Sequence, residues 1–410
     1  MEIRVERQPL QTPGHQPENS GGSLRSLILK QFRNYGHAEL EFKPGLTVLL
    51  GPNGQGKTNI LEAVHYLAFL RSFRTRQIKE LIRFGADGFQ LQAGLAAAVA
   101  ESGADRLSVT FGRDRRLFLN GAPMDKGSEF INQFFCVAFI PEDIELVKGP
   151  AAERRRWLDM LTGQLDRSHL RDLHAYNHAL KSRNAILRQF GKFDAGSLDA
   201  YDQLLARHGA AVIQNRRQTV GRLASCALAD SAVLVNGTLE YEYLPGLPKS
   251  DPSASADDHP AAGGDDAPSA IQGRKLQEAY LEMLVQNRSR DLRDGVTVWG
   301  PHRDELVIRL SGRLLSAYGS EGQCRASALW LRVASARILR EYTASPQAAL
   351  VLLVDDVLGE LDESRRAAFW DQIQGGGTQI FFTCTAIPPS LTGRVTQTLH
   401  VSAGVVSTGG

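Results

Sequence analysis

Eight residues of the chain have the types and spacing that hold nucleotide phosphates. They read Gly-Pro-Asn-Gly-Gln-Gly-Lys-Thr over residues 51–58 and match the pattern Gly-x-x-x-x-Gly-Lys-Ser/Thr. The glycines let backbone N–H groups curl around the phosphate oxygens, while Lys57 adds a positive charge and Thr58 adds a hydroxyl for Mg²⁺. A plain glycine-rich turn is the alternative. We predict nucleotide contacts from Gly51, Pro52, Asn53, Gly54, Gln55, Gly56, Lys57, Thr58 and Asn59.

Two adjacent acidic residues follow an entirely apolar run, Leu350-Val-Leu-Leu-Val354. Carboxylates at the end of an apolar strand are costly unless they meet a cation or water. We predict that Asp355 holds Mg²⁺ through water and that Asp356 orients or deprotonates the attacking water. Solvated acids in a turn are the alternative. The Asn-Lys-x-Asp motif of guanine recognition is absent from the sequence, so ATP is the expected nucleotide.

A second glycine-bearing helix start, Ser320-Glu-Gly-Gln323, stands far along the chain from the first. Ser320 and Gln323 have the spacing of a capping box, which satisfies two backbone N–H groups. Exposed N–H groups at a helix start also attract phosphate. These residues alone leave both readings open, and they favour the cap because every helix needs one.

The elements that position these residues follow from the alternation and periodicity of apolar side chains. We predict two or three strands within residues 23–50, the last of them buried on both faces. Further strands are predicted over residues 89–94, 106–112, 116–119, 296–299, 305–310, 350–354 and 378–383, with a hairpin turn at Asn120-Gly121. Helices are predicted over residues 57–70, 151–230, 274–292, 326–340 and 363–374. This is an α/β chain whose middle is helical.

Composition limits the classes of protein to consider. Apolar residues make up 42% of the 410 residues, enough for a sizeable core, and the net charge is only +2. No run approaches the 18 or so apolar residues of a membrane-spanning helix. The first 22 residues lack the apolar segment of a secretory signal. The four cysteines form no close pair, which argues against a zinc site or a disulfide framework and favours the reducing cytoplasm.

The order of these motifs resembles that of ABC-type ATPases and, more narrowly, of the RecF family of bacterial recombinational repair proteins, relatives of SMC and Rad50 heads. The likeness is carried by Phe32-Arg-Asn-Tyr35, Gly51 to Asn59 with Leu61-Glu-Ala63, Arg71-Ser-Phe-Arg74, Phe139 to Gly149 with Arg154-Arg-Arg156, Gly300-Pro-His-Arg-Asp304, Ser320-Glu-Gly-Gln323, and Leu353-Val-Asp-Asp356 with Gly359-Glu-Leu-Asp362.

The resemblance implies an SMC/Rad50-like P-loop ATPase head with an inserted, mainly helical arm. Residues 23–150 and 296–410 would form the two parts of the head, and residues 151–295 the arm. Residues 1–22 are predicted to be a disordered extension. Residues 245–273 are predicted to be a disordered insertion, because their composition leaves little to bury.

The resemblance also assigns roles to single residues. Ser320, Gly322 and Gln323 would form the ABC signature, which contacts the γ-phosphate of ATP held by the other subunit. Glu142 would lie beside the metal, where it would sense Mg²⁺ and nucleotide and take part in catalysis. Arg33 would reach the nucleotide phosphates, and Asp362 would face the dimer partner. A surface strand charge at Arg33 and a helix N-cap at Asp362 are the alternatives.

Two departures from ABC transporters imply slow hydrolysis. The region of Thr383-Cys-Thr385 lacks the switch histidine, and Asp356 is shorter than the usual glutamate. The resemblance thus implies a timed switch: ATP joins two subunits on duplex DNA near single-strand gaps, and hydrolysis releases them. The implied partners are the RecO and RecR mediators and, indirectly, RecA. No membrane partner is expected.

Two groups of basic residues are candidates for sequence-independent phosphate contacts with DNA. They are Arg71, Arg74, Arg76, Lys79 and Arg83, and the run Arg154-Arg-Arg156. Solvated helix faces are the alternative. Two further functions compete with a DNA-binding switch. A transporter ATPase would need a switch histidine, and an SMC/Rad50-like tether would need sustained heptads in the arm.

Overall fold

The computed structural model describes residues 23–96, 105–131, 133–189, 195–231, 234–248, 269–342, 350–359, 362–375 and 377–408. The predicted extension at residues 1–22, and most of the predicted insertion at residues 245–273, lie outside this part of the chain.

The strands of the described residues are β1 Leu24–Phe32, β2 Tyr35–Glu41, β3 Leu46–Leu50, β4 Phe89–Leu95, β5 Arg106–Phe111, β6 Arg115–Leu119, β7 Ala122–Met124, β8 Phe135–Phe139, β9 Leu239–Leu244, β10 Glu305–Leu310, β11 Arg313–Leu314, β12 Leu350–Asp355, β13 Thr378–Cys384, β14 Val395–Ser402 and β15 Val405–Thr408.

The α-helices are α1 Lys57–Phe69, α2 Gly127–Phe130, α3 Glu145–Lys148, α4 Ala151–Leu165, α5 Arg167–Leu187, α6 Ala195–Asp230, α7 Ser269–Gln286, α8 Arg288–Asp294, α9 Leu315–Tyr318, α10 Glu321–Tyr342 and α11 Glu363–Ile373. Short 3-10 turns cover Ile78–Leu81, Pro141–Ile144, Pro301–Arg303 and Pro389–Leu391.

The central sheet has the order β15-β14-β3-β13-β12-β8, with every neighbouring pair parallel except β14 and β15. Its strand β12 is buried on both faces, and the residues from Leu350 to Val354 are all apolar. Leu352 and Val354 pack into one hydrophobic core, whereas Val351 and Leu353 pack into another. Parallel strands end at the same edge of a sheet, so β3, β12 and β13 bring their following residues together at that edge.

An antiparallel sheet of order β2-β1-β4-β5-β6-β7 covers α1 and forms the second core with it. The predicted hairpin between β6 and β7 is confirmed. Asn120 and Gly121 have φ values of 52° and 83°, the left-handed backbone that two-residue hairpin turns require.

A small third sheet of order β11-β10-β9 joins parts of the chain that the sequence assigned to different regions. Strand β9 lies within the predicted arm and pairs with β10 of the predicted C-terminal part, with Leu239 opposite Leu310. The domain limits at residues 151 and 295 therefore stay predictions, and a sheet crosses the second of them.

The long helices α5, α6 and α7 pack around their own apolar cluster, which includes Tyr176, Leu205 and Tyr280. A buried ionic group stands beside it. Arg183, with no exposed side-chain surface, donates to Asp202 at 2.6 Å and to Asp291 at 2.7 Å. Buried charges are tolerated when they are paired and hydrogen-bonded in this way.

The predicted strand at residues 296–299 is wrong. The backbone there is held by side chains, since Thr297 N donates to Asn184 Oδ1 at 2.8 Å and Val298 N donates to Asp291 Oδ1 at 3.0 Å. These side-chain acceptors take the place of the backbone hydrogen bonds that a neighbouring strand would provide. Apolar and polar residues do alternate in this segment, but it pairs with no strand in the described residues. The predicted disordered insertion is also too long at both ends, because residue 246 is hydrogen-bonded in place and α7 begins at Ser269.

Candidate nucleotide-binding site

The phosphate loop joins β3 to α1, as predicted, and its shape depends on Gly56. This residue has a φ of 114° and directly precedes α1. A Cβ atom there would lie 2.6 Å from Nδ2 of Asn34 and 2.8 Å from the hydroxyl of Tyr35. The Tyr35 hydroxyl donates to the Gly56 carbonyl at 3.0 Å. Only glycine satisfies both the backbone conformation and this close approach.

Two neighbouring turns hold the loop from behind through Gln55. Asn34, in the turn between β1 and β2, donates from Nδ2 to the Gln55 carbonyl at 2.9 Å. Ala403 N, in the turn between β14 and β15, donates to Gln55 Oε1 at 2.7 Å. The loop is thus fixed by strands from both large sheets, which preorganises its backbone N–H groups for an anion.

Lys57 and Thr58 begin α1, directly after the phosphate loop. Lys57 Nζ donates to the carbonyls of Gly51 at 2.6 Å and Pro52 at 2.7 Å. The Thr58 hydroxyl donates to Asp355 Oδ1 at 2.9 Å. The predicted pairing of the loop with the end of β12 is therefore present as a direct contact.

Asp355 is a buried carboxylate, 6% exposed, that also accepts from the Thr383 hydroxyl at 2.8 Å. Burial raises its pKa, the two hydroxyl donors lower it, and the negative charges of Asp356 and Glu142 raise it. A cation beside this group would therefore relieve an electrostatic cost.

The donor set fits Mg²⁺ when the nucleotide is part of the shell. In the described part of the chain, no three His, Cys, Asp or Glu side chains are grouped so as to hold a metal. Mg²⁺ at nucleotide sites uses one or two protein oxygens together with phosphate oxygens and water. Thr58 and Asp355 supply such oxygens.

These residues surround a cavity of about 400 Å³ at the carboxyl edge of the central sheet. Its walls are Asn53, Gly54, Gly56, Lys57, Thr58, Asn59, Phe73, Arg74, Pro141, Glu142, Asp355, Asp356, Thr383, Cys384 and Thr385. The three predicted acids, Glu142, Asp355 and Asp356, thus meet at one cavity. Asp356 has a φ of 50°, a left-handed conformation that is uncommon outside glycine and that directs the chain sharply away from β12.

The predicted phosphate ligand Arg33 has other partners. Its guanidinium forms a two-bond salt bridge with Glu62, at 2.8 and 2.6 Å, and donates to the Glu80 carbonyl at 2.9 Å. The Glu62 carboxylate is fully buried and also accepts from Ser72 Oγ at 2.5 Å. Arg33 is not among the described residues that line the cavity, so its phosphate contact stays a prediction.

The predicted capping box at the second helix start is confirmed. Ser320 N donates to Gln323 Oε1 at 2.9 Å, and Gln323 N donates to Ser320 Oγ at 3.2 Å, directly before α10. Ser320, Gly322 and Gln323 do not belong to the described lining of the nucleotide cavity. Asp362 caps α11 and accepts from Arg365 N at 2.8 Å. Contacts of these residues with a partner subunit stay predictions.

Arg74 is a further residue of the nucleotide cavity. From the sequence it was expected only as one of several basic residues that could contact DNA. It lines the cavity and donates to Asn59 Oδ1 at 3.0 Å. Its position is fixed by Ser72, whose Oγ accepts from Arg74 N. A short polar loop directly after the phosphate-loop helix is the signal that could have placed Arg74 near the nucleotide.

The predicted DNA-contacting run at residues 154–156 is largely used inside the protein. Arg154 forms a two-bond salt bridge with Glu305, at 2.7 and 3.0 Å, and is 13% exposed. Arg155 donates to the Asp304 carbonyl at 2.6 Å, and Arg156 donates to Glu153 at 2.8 Å. DNA contacts from this run stay predictions, and Arg154 is less available for them than Arg156, whose side chain is 35% exposed.

A parallel sheet with a phosphate loop and an aspartate at its carboxyl edge, flanked by an antiparallel sheet and interrupted by helices, is the architecture of an SMC-like ABC ATPase head. A family model described as the RecF/RecN/SMC N-terminal domain matches residues 23–406. The chain is 33% identical over 390 residues to the DNA replication and repair protein RecF of Streptococcus uberis, covering 93% of this chain and 99% of that protein. The chain belongs to the RecF family.

Other RecF proteins are similar to this chain over most of its length. The RecF protein of Bacillus subtilis is 32% identical, with 89% of this chain and 93% of that protein covered. A solved structure of the recombination mediator protein RecF with ATP in the RecFOR pathway has a TM-score of 0.81 at 27% identity, covering 97% of this chain and 100% of that chain. An SMC head domain from Pyrococcus furiosus, at 15% identity and a TM-score of 0.52, shares the fold over 95% of this chain and 96% of that one. None of the helices in the described residues is long and apolar enough to cross a membrane.

Proposed function

We propose that the protein is an ATP-dependent DNA-binding protein of recombinational repair and replication restart. Its RecF relatives are DNA replication and repair proteins, and one RecF protein is solved with ATP. In this proposal, two ATP-bound copies associate on duplex DNA near a single-strand gap and help to load recombinase on the single strand. RecO and RecR are the proposed partners, RecA is the recombinase, and the cytoplasm is the proposed location.

One observation carries the dimer proposal. The nucleotide cavity contains Lys57, Thr58 and Asp355, whereas the capped helix start at Ser320 stands outside the described cavity walls and is exposed. A helix start with a serine hydroxyl favours phosphate oxygens. In the proposed dimer, the partner's Ser320–Gln323 segment closes the γ-phosphate side, so that ATP itself joins the two copies.

The proposed hydrolysis is slow and acts as the release step. Lys57 and Arg74 place positive charge at the phosphates, and the metal would stand at Thr58 and Asp355. Asp356 would align the attacking water with Glu142 nearby. The domain assignment proposed with this function is a head of residues 23–150 and 296–410 and a helical arm of residues 151–295.

The test is the mass of the particle by light scattering without nucleotide, with ADP and with ATP, each with and without duplex DNA. We expect a dimer only with ATP and a larger dimer fraction when DNA is present. A monomer under all conditions, or a dimer that ignores nucleotide, would contradict the proposal.

A further inference from the structure

A second cavity, of about 320 Å³, shares no lining residue with the nucleotide cavity and takes no part in the proposed ATP site. It is lined by residues from α1, α4, α5, α6 and the turn at Pro301–Arg303, and by Arg71 and Ile131. One wall is apolar and includes Phe69, Met160 and Leu173. The charged residues of the lining are mostly cationic. They are four arginines, Arg71, Arg155, Arg156 and Arg216, and one carboxylate, Asp159.

Arg216 is satisfied within the protein. It forms a two-bond salt bridge with Asp159, at 2.8 and 2.9 Å, and donates to Asp304 at 2.6 Å. It is only 2% exposed. Arg216 therefore shapes the cavity and is not available to a ligand.

Across the ranges that the structure describes, none of the other three arginines has a carboxylate bonded to it alone. Arg156 and Arg76 share the one carboxylate of Glu153, at 2.8 and 2.5 Å. Arg155 donates only to a carbonyl in the described residues, at 2.6 Å. The side chain of Arg71 has no hydrogen-bond or ion-pair partner within the described part of the chain. Its position next to Arg156 places like charges together.

The local charge has an excess of about two positive charges. Six guanidinium groups lie beside four carboxylates in this region. The arginines are Arg71, Arg76, Arg154, Arg155, Arg156 and Arg216, and the acids are Glu153, Asp159, Asp304 and Glu305. Burial lowers the pKa of Arg155 and Arg156, and neighbouring arginines lower it further. Asp304, Glu305 and Asp159 offset part of this effect at Arg155, as Glu153 does at Arg156. An anion in the cavity would relieve both costs.

We propose that this cavity binds the phosphate monoester of a nucleotide. A phosphate monoester carries a charge of about −1.5 to −2 at neutral pH, which matches the local excess, whereas a backbone phosphodiester carries only one charge. The cavity is far larger than a phosphate ion, and its apolar wall suits a nucleoside. The exposed amide of Asn177, at the rim, supplies hydrogen bonds for a base edge.

Two sources supply this chemistry: a free nucleoside monophosphate, or the phosphorylated end of a DNA strand. The strand-end source rests on the proposed DNA-binding function, whereas the free-nucleotide source does not. The experiment therefore has one arm for each source.

In the first arm, the full-length protein with ATP is titrated onto two duplexes with a single-strand overhang, identical except for a terminal phosphate or a terminal hydroxyl. Both strand polarities are used. We expect about tenfold tighter binding of the phosphorylated end at one polarity, since a charge-assisted contact is lost without it. Arg71→Gln, and Asn177→Asp, which adds a negative charge at the rim, should reduce the ratio to about threefold or less. Arg113→Gln, an exposed arginine in the turn between β5 and β6, is the matched control and should keep it.

In the second arm, deoxyadenosine monophosphate is titrated onto Lys57→Met, whose phosphate loop is disabled. Saturable binding that Arg71→Gln weakens in the same background identifies the free nucleotide as a source. The inference is overturned if neither arm finds phosphate-dependent binding, or if the dependence survives both cavity variants. Deoxyadenosine monophosphate binding without any DNA binding would overturn the proposed function and leave the cavity assignment standing.

Discussion

Replacing Asp355 with asparagine removes one negative charge from the metal side of the nucleotide cavity and keeps its shape. Oδ1 of Asp355 accepts from Thr58 at 2.9 Å and from Thr383 at 2.8 Å. The carbonyl oxygen of asparagine accepts the same two bonds. The change therefore isolates the charge.

The expected effect of Asp355→Asn is small in the absence of ligand and large in its presence. Burial opposes the ionised form of Asp355, so its neutral replacement should change the free energy of unfolding by no more than about 1 kcal/mol in the absence of ligand. Loss of the carboxylate that orients the metal shell should weaken Mg²⁺-ATP binding about 10- to 100-fold, or about 1.4–2.7 kcal/mol.

The assay is calorimetric titration of ATP with Mg²⁺ and with a chelator, for the wild type and Asp355→Asn. Asp371→Asn, whose side chain is 67% exposed on α11, is the matched control. We expect a loss of affinity only when Mg²⁺ is present. An equal loss in the chelator would refute the metal role, and unfolding of the variant would refute the claim that its hydrogen bonds are kept.

Other variants and conditions test separate parts of the account. Asp356→Asn should keep ATP binding, slow hydrolysis and lengthen the life of the DNA-bound dimer in stopped-flow and release assays; identical behaviour to Asp355→Asn would show that their roles are not divided. Asp304→Asn should cost about 3–5 kcal/mol in urea unfolding, because Asp304 is 1% exposed and pairs with buried Arg216; a loss below about 1 kcal/mol would contradict that pairing. Burial lowers the pKa of His65 to about 4, whereas the unfolded imidazole takes a proton near pH 6.5, so acidification should favour unfolding, by about 2 kcal/mol between pH 6.5 and 5. The loss of unfolding free energy between pH 6.5 and 5 should be smaller in His65→Gln. An unchanged pH dependence in this variant would exclude His65 as the source of that loss. DNA affinity should fall steeply with salt and equally for unrelated duplex sequences; a strong preference for one sequence would overturn phosphate-only contacts.

Local patterns predicted the strand–loop–helix unit around Lys57, the Asn120–Gly121 hairpin and the Ser320 capping box. Each depends on residues close in sequence, whose conformational preferences and hydrogen bonds act over one turn. The pairing of the phosphate loop with the end of β12 was also predictable, because acids at the end of an apolar strand need a cation, a hydrogen-bond donor or water beside them.

Contacts between distant segments were less predictable. Residues 296–299 alternate like a strand, yet Asn184 and Asp291 take their backbone N–H groups. The run at residues 154–156 is as basic as a DNA-binding surface, but Glu305 neutralises Arg154 from 151 residues away. Sequence supplies the charge of such a residue, and only the fold decides which carboxylate reaches it.

Mixing two inactive variants would test whether ATP joins two copies of the protein through a composite site. Ser320→Arg should bind ATP as a monomer, because its own phosphate loop is intact, while Lys57→Met should not bind ATP. Mixed together, they form one complete site, from the loop of the first and the Ser320 segment of the second. We expect ATP-dependent heterodimers with partial ATPase activity, although each parent alone is inactive. An inactive, monomeric mixture of folded variants, or loss of ATP binding in Ser320→Arg, would contradict it.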